Sequence, residues 1–271
     1  MSCSRTLIFM DSGIGGIPYL RWVRQRRPEW TYIYLADHAF FPYGGKGTDI
    51  LTDRLLLLSD RLIRLHQPDM IVLACNTASV TALPALRSRF ELPFVGVVPA
   101  VKPASEVPEA DRIGVLATKG TVEGPYLQRL IDQFSGSRSV DCIAAPDLVR
   151  FVETRLLHAD ESEIRNILMP YLSLAAEKNW RCMVLGCTHF IMLRPWLEKW
   201  KSPSLRIVDS TEGVGNRVLS LIGNGGLDAE PGQPEDFSRF YVTGEGETCS
   251  FYREFADREK LKYSCFEEEP R

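Results

Sequence analysis

Apolar runs of strand length alternate along this chain with longer stretches of helical period, and that rhythm limits its fold more than any other feature. Successive parallel strands need a crossover long enough to hold a helix, so the alternation predicts an α/β fold built on parallel sheet. Strands are predicted near Thr6–Met10, Thr31–Leu35, Met70–Ala74, Phe94–Val98, Arg112–Ala117, Val140–Ala144, Cys182–Leu185, Leu205–Val208 and Arg239–Val242. Between them, Asp49–His66 carries Leu55, Leu58, Leu62 and Leu65 at helical spacing, and Glu161–Lys178 is similarly amphipathic.

Two of these strands end alike, as Val72-Leu73-Ala74-Cys75-Asn76-Thr77 and Val184-Leu185-Gly186-Cys187-Thr188-His189. The carboxyl end of a strand in an open parallel sheet faces the ligand crevice, so both thiols are expected where a substrate would sit. A weak repeat underlies the pair. Leu7-Ile8-Phe9-Met10-Asp11-Ser12-Gly13 precedes Cys75 much as Gly114-Val115-Leu116-Ala117-Thr118-Lys119-Gly120 precedes Cys187. The expected architecture is therefore two pseudo-symmetric α/β lobes, each a parallel-rich sheet flanked by helices, with the active site in the cleft between them. Residues 1–98 with 209–271 would form the first lobe and 99–208 the second. The proline-rich stretch Pro99–Pro108 would be the crossover, and the chain would return to the first lobe after Asp209.

Composition removes several classes of function. With 271 residues, 45% hydrophobic and 25% charged, the chain has the make-up of an ordinary globular protein, and its net charge of -3 offers no footprint for nucleic acid or an anionic membrane. The one basic cluster, Arg21, Arg24, Arg26 and Arg27, reads as a solvated helix end. Leu7-Ile8-Phe9-Met10 is too short for an export signal, and the uncharged run Met70–Leu86 is broken by Asn76, Thr77, Ser79, Thr81 and Pro84, so a cytoplasmic location is expected. Seven cysteines without a CxxC pair suit a reducing compartment, and no metal is expected because Cys182, Cys187 and His189 lack zinc-ligand spacing.

Asp11-Ser12-Gly13-Ile14-Gly15-Gly16, Pro42-Tyr43-Gly44, Cys75-Asn76-Thr77-Ala78-Ser79 and Gly186-Cys187-Thr188-His189 resemble, in order and spacing, the motifs of the glutamate racemases in the aspartate/glutamate racemase superfamily. The resemblance runs from about Thr6 to the strand near Phe240. It implies an isomerase without cofactor that interconverts L- and D-glutamate and supplies D-glutamate for peptidoglycan. The implied partner is the small-molecule substrate, with no nucleic acid and no membrane, and a homodimer is expected.

Racemising an amino acid without pyridoxal phosphate requires removing a weakly acidic α-proton from one face and returning one to the other. Cysteine suits both tasks, since its pKa near ~8.5 is readily lowered and one thiol can rest as thiolate while the other stays protonated. By resemblance, Cys75 and Cys187 are these two residues, with Cys75 taken to deprotonate D-glutamate and Cys187 L-glutamate. Read alone, each would be a buried strand-end thiol. Asp11 is either a helix N-cap, or a carboxylate serving Cys75, or both, and the loop that it opens offers backbone N–H groups and the Ser12 hydroxyl to a substrate carboxylate.

His189, two residues beyond Cys187, can exchange protons with that thiol, and histidine there, where aspartate racemases tend to have Glu, leans toward glutamate. Glu153 matches a family acid on the second proton path; the alternative is a solvated helix carboxylate. The resemblance assigns substrate contacts to Tyr43 and Gly44, which face the side-chain carboxylate, and to Asn76, Thr77 and Thr188. Thr118 and Thr121 are further candidates, although Thr and Asn at strand ends also serve as helix caps.

One departure from the family pattern is plain. Many relatives carry Asp-Thr-Ala-Arg before Pro-Tyr-Gly, whereas this chain has Asp37-His38-Ala39-Phe40-Phe41, with Phe40 in place of the arginine. The tail from Gly223 to Arg271 carries no assignable motif, and Glu267-Glu268-Glu269 reads as a solvated end. Two other functions fit the same scaffold: racemisation of aspartate or another amino acid, and a glutamate-binding or regulatory protein such as the gyrase inhibitors reported among relatives. Disulfide oxidoreduction would need the missing CxxC pair.

Overall fold

The computed structural model describes residues 5–222, 238–244 and 249–267. These fall into two compact units, one formed by the chain up to Val97 and again from Thr211, the other by Val98–Ser210. Cys3, residues 223–237, Glu268 and Glu269 lie outside the described residues. The first unit begins with β1 (Thr6–Asp11), α1 (Ile17–Arg24), β2 (Thr31–Ala36), α2 (Thr48–His66), β3 (Met70–Leu73), α3 (Asn76–Arg89) and β4 (Phe94–Gly96). The second holds α4 (Val101–Ser105), β5 (Arg112–Ala117), α5 (Lys119–Glu123), α6 (Pro125–Phe134), β6 (Ser139–Ala144), α7 (Pro146–Thr154), α8 (Glu161–Glu177), β7 (Cys182–Leu185), α9 (Thr188–Ile191), α10 (Arg194–Trp200) and β8 (Arg206–Val208). The chain re-enters the first unit as α11 (Thr211–Ile222), β9 (Arg239–Val242), α12 (Cys249–Arg258) and β10 (Lys262–Cys265).

Among the described residues every strand pairing is parallel, in the order β10-β9-β2-β1-β3-β4 in the first unit and β6-β5-β7-β8 in the second. Helices cover these sheets, so Leu7–Met10 and Met70–Leu73 are buried throughout, as unbroken apolar strands of a parallel sheet should be. The strand order has a further consequence. In the first unit the chain moves from β1 to one side, as β2, and then to the other, as β3; β5, β6 and β7 repeat that move in the second unit. The order reverses between β1 and β3 and again between β5 and β7, and at such a switch point the loops part to leave a crevice.

Several local expectations change. The buried stripe of α2 consists of Leu51, Arg54, Leu55, Leu58, Ser59 and Leu62, whereas Leu65 is 58% exposed, because the helix closes at Gln67 in the left-handed region (φ 43°) with its last turn facing solvent. Pro99–Pro108 is more than a linker, since α4 forms within it and sends Val101 and Ala104 into the core of the second unit. The arginine cluster is only partly solvated. Arg21 and Arg24 bind the buried carboxylate of Glu259, Arg24 also reaches the Glu259 carbonyl (2.8 Å), and Arg26 stacks 3.5 Å over the Trp22 ring.

The tail also contributes structure that its sequence does not advertise. β10 pairs in parallel with β9 at the sheet edge, and α12 buries Tyr252, Phe255 and Ala256. No helix among the described residues is long and apolar enough to cross a membrane.

Packing in the second unit hinges on one glycine. A Cβ built on Gly114 would lie 2.1 Å from the ring of Trp180, which is itself buried and tied through its indole N–H to Asp141 (2.7 Å), the partner of Arg112 (2.8 Å). With the ring held at both face and edge, Gly114→Ala is expected to cost about 1–3 kcal/mol through overpacking. Calorimetry should show it as a fall of several degrees in the unit's Tm, and an unchanged Tm would mean that Trp180 moves freely.

Candidate active site

In the first unit the groups at the switch point hang from β1 and β3. Asp11, the last residue of β1, is fully buried, and its carboxylate accepts the Ser12 backbone N–H at 2.7 Å. It does not cap α1, whose N-cap is Gly16. The intervening loop is pinned by Tyr34, whose hydroxyl donates to the Gly13 carbonyl (2.7 Å) and accepts from Gly16 N–H (3.0 Å). Gly16 must be glycine, because a Cβ there would stand 2.6 Å from the Ala74 methyl group. Ala74 is held to β1 by its N–H on the Met10 carbonyl (2.7 Å), and Cys75 follows in extended conformation as the N-cap of α3, 7% exposed. The positive end of α3 favours negative charge at this point. Asn76 is buried and Thr77 half-buried in the first turn of that helix.

Tyr43 lies in the short turn Tyr43–Gly45 and belongs to the same buried cluster as Cys75. Its hydroxyl donates to Asp37 (2.9 Å). Burial, the Asp37 carboxylate and then Cys75 and Asp11 hold this phenol well above its ordinary range, so it acts as a neutral donor. Asp37 was not anticipated as a site residue. It is fully buried, donates its N–H to the Asp11 carbonyl (2.8 Å), and receives the Arg54 guanidinium on both carboxylate oxygens (2.6 and 3.0 Å) and the Thr243 hydroxyl (2.6 Å). The signal was present in α2, where an arginine is the one charged residue in a buried stripe of leucines and Ser59.

The second unit repeats the frame with different chemistry. Gly186 donates to the Leu116 carbonyl (2.7 Å) as Ala74 does to Met10, and Ala145 donates to Ala117 (2.9 Å) as Asp37 does to Asp11. Cys187 thus stands relative to β5 as Cys75 stands relative to β1. The same hydrogen bonds match Asp11 with Ala117, one residue before the Thr118 expected from the repeat. No carboxylate occupies that point.

An imidazole and a carboxylate come from elsewhere in this unit. Cys187, 6% exposed, has its Sγ 3.9 Å from Nδ1 of His189, and Nε2 of His189 lies 2.8 Å from the Glu153 carboxylate of α7. Glu153 is only 3% exposed, which rules out a solvated helix carboxylate. A proton on Nε2, shared with Glu153, leaves the Nδ1 lone pair toward the thiol, the arrangement in which a base takes a thiol proton. Thr188 is buried beside this chain of groups. Thr118 caps α5, accepting the Thr121 N–H (3.3 Å), and the two hydroxyls lie 3.0 Å apart, so each has local work to do. Burial pushes the Cys182 thiol, at the far end of β7, up to about 12.

Comparison with known proteins identifies the family. The family model described as Asp/Glu/Hydantoin racemase matches residues 19–213. A glutamate racemase of Pasteurella multocida is 40% identical over 224 residues, 80% of each chain, and one of Klebsiella pneumoniae is 35% identical over 245 residues, covering 89% of this chain and 86% of the relative. The crystal structure of Escherichia coli glutamate racemase, in complex with L-glutamate and the activator UDP-MurNAc-ala, matches with a TM-score of 0.86 at 30% identity over 97% of each chain. Two parallel sheets with a thiol at each switch point and a family match spanning both units lead to one conclusion: this chain belongs to the Asp/Glu/hydantoin racemase family, among its glutamate racemases.

Proposed function

We propose that the protein interconverts L- and D-glutamate by a two-thiol mechanism, with Cys75 and Cys187 acting on opposite faces of one α-carbon and no cofactor taking part. The observation that carries this reading is the buried chain Cys187–His189–Glu153, which aligns a base and a carboxylate behind a strand-end thiol. In the L-to-D direction the Cys187 thiolate takes the α-proton, the bond's electron pair stays on the α-carbon, and the Cys75 thiol returns a proton to the other face. The thiols have then exchanged states. His189 with Glu153 and, at the other thiol, Asp11 move the protons that reset them.

Ser12, Asn76, Thr77, Thr118, Thr121 and Thr188 supply neutral side-chain donors for the two carboxylates, and the Tyr43–Gly44 turn supplies backbone N–H groups; neutral donors hold the anion without quenching a thiolate as a close lysine would. L-Glutamate bound to the Escherichia coli relative supports the substrate assignment. The product feeds peptidoglycan synthesis, and the enzyme works in the cytoplasm.

Incubation with L-glutamate in D2O without pyridoxal phosphate should place deuterium at the α-carbon and abolish optical activity. Cys75→Ser and Cys187→Ser should each abolish conversion while circular dichroism stays native, because a hydroxyl cannot rest as the anion at neutral pH. No exchange by saturated wild-type enzyme would end the racemase reading, faster exchange with L-aspartate would reassign the substrate, and an active serine variant would end the two-thiol mechanism.

His189→Asn and Glu153→Gln should each lower turnover by roughly 10²-fold, the scale of a general acid–base group. The equilibrium between enantiomers fixes the ratio of the two kcat/KM values, so asymmetry between directions must emerge in kcat and KM separately. Wild-type parameters in both variants would reduce the pair to a packing role.

We also propose a homodimer. Ile50, Leu57 and Leu65 share one face of α2 and are 61%, 50% and 58% exposed, an apolar stripe of the kind that marks an interface. Sedimentation should give twice the chain mass for the wild type and a monomer for Leu57→Glu; a monomeric wild type would refute the assignment.

A further inference from the structure

Asp37 draws together three separate segments. Its carboxylate takes two hydrogen bonds from Arg54 on α2, one from Tyr43 in the loop after Pro42, and one from Thr243 just past β9. Thr243 in turn accepts the Ala39 N–H (3.1 Å), and His38 is bonded to the Tyr252 hydroxyl of α12 (2.8 Å), so the start of segment 37–43 is tied down as well. Arg54 is 7% exposed, and its guanidinium carbon lies 4.5 Å from the centre of the Phe40 ring. Phe40 stands where many relatives carry arginine. Arg54 brings a cation to the loop from α2, and the Phe40 ring covers one face of it.

An anionic substrate group beside Tyr43 and Gly44 would meet repulsion from a bare Asp37 carboxylate. Arg54 cancels that charge, and its planar two-pronged fork also fixes the carboxylate that accepts the Tyr43 O–H, which holds in place the turn whose backbone N–H groups would meet the substrate carboxylate. We propose that Arg54, Asp37 and Thr243 form a positioning unit that makes the Tyr43–Gly44 turn receptive to the side-chain carboxylate of glutamate and so governs substrate affinity. This rests on the reading above, in which Tyr43 and Gly44 receive that carboxylate. Arg54 and Thr243 meet the Tyr43 hydroxyl at the Asp37 carboxylate that all three share. The unit therefore acts on binding and not on proton transfer.

Kinetics of Arg54→Lys and Thr243→Val, singly and combined with Tyr43→Phe, test the proposal alongside glutamate dissociation constants from calorimetry. Lysine keeps the charge and loses the fork, so KM and Kd for both enantiomers should rise about 10-fold, the worth of one charge-assisted hydrogen bond, while kcat stays within about 3-fold. Thr243→Val should shift them in the same direction by less. Because all act through Asp37, the Arg54→Lys penalty should largely vanish in a Tyr43→Phe background.

Arg54→Met adds an electrostatic arm. It should bind worse than Arg54→Lys, and Arg54→Met/Asp37→Asn should recover affinity by removing the unbalanced charge, whatever Tm it retains. Unchanged KM and Kd in both Arg54→Lys and Thr243→Val, full additivity with Tyr43→Phe, or a fall in Tm without loss of affinity would each overturn the proposal. A wild type that binds glutamate but never exchanges its α-proton would instead overturn the racemase reading and leave the comparison of Kd values standing.

Discussion

The strand order next to the first strand of each unit is the constraint on which the rest depends. Because β2 and β3 leave β1 on opposite sides, and β6 and β7 leave β5 likewise, the carboxyl ends of β1, β3, β5 and β7 are not roofed by their own crossovers. Both cysteines sit at these ends, each one residue after a backbone hydrogen bond to the neighbouring strand. Their positions are thus set by main chain in a sheet buried on both faces, which holds a reacting atom more tightly than a loop would. At Gly186 there is no slack, since a Cβ would come within 2.9 Å of the Leu116 carbonyl oxygen.

On this shared frame the two units place different charges. The first has a carboxylate at the end of β1; the second has Ala117 there and brings an imidazole from α9 and a carboxylate from α7. Leaving an ion buried without a partner is strongly destabilising, and three buried carboxylates of the described structure each have a cationic or ionisable partner. Asp37 has Arg54, Glu259 has Arg21 and Arg24, and Glu153 has His189. Of these three pairings only the last ends on a group whose charge changes near neutral pH, which is why it suits proton movement while the other two suit fixed architecture.

Much of the fold was legible because parallel strands buried on both faces must be apolar runs, and β1, β3, β5 and β7 read as such. β10 was not legible for the converse reason. As an edge strand with one partner it tolerates Lys262-Tyr263-Ser264-Cys265, in which nothing alternates cleanly and the ends are exposed. The thiols, Asp11 and His189 stood out through motif and spacing, all close in sequence to strand ends. Thr243 did not, because its importance lies in a contact spanning 206 residues to Asp37, and single-sequence patterns carry no such pairing, whereas Arg54 left a trace as a charge within the buried stripe of α2. Glu153 stood between the two cases: its residue type was suggestive, and only its burial against His189 separated it from a surface acid.

The return of the chain to the first unit has a consequence in time. Residues 37–43 receive Thr243 and Tyr252 from segments made after the whole second unit, although β1 to β4 precede it. As the chain leaves the ribosome, the early strands can pair and bury their apolar faces, yet the turn at Tyr43 still lacks its hydroxyl partner beyond β9. The nascent protein can therefore have much of its architecture before it has a finished recognition loop, and completion of that loop reports that synthesis has reached the last helix.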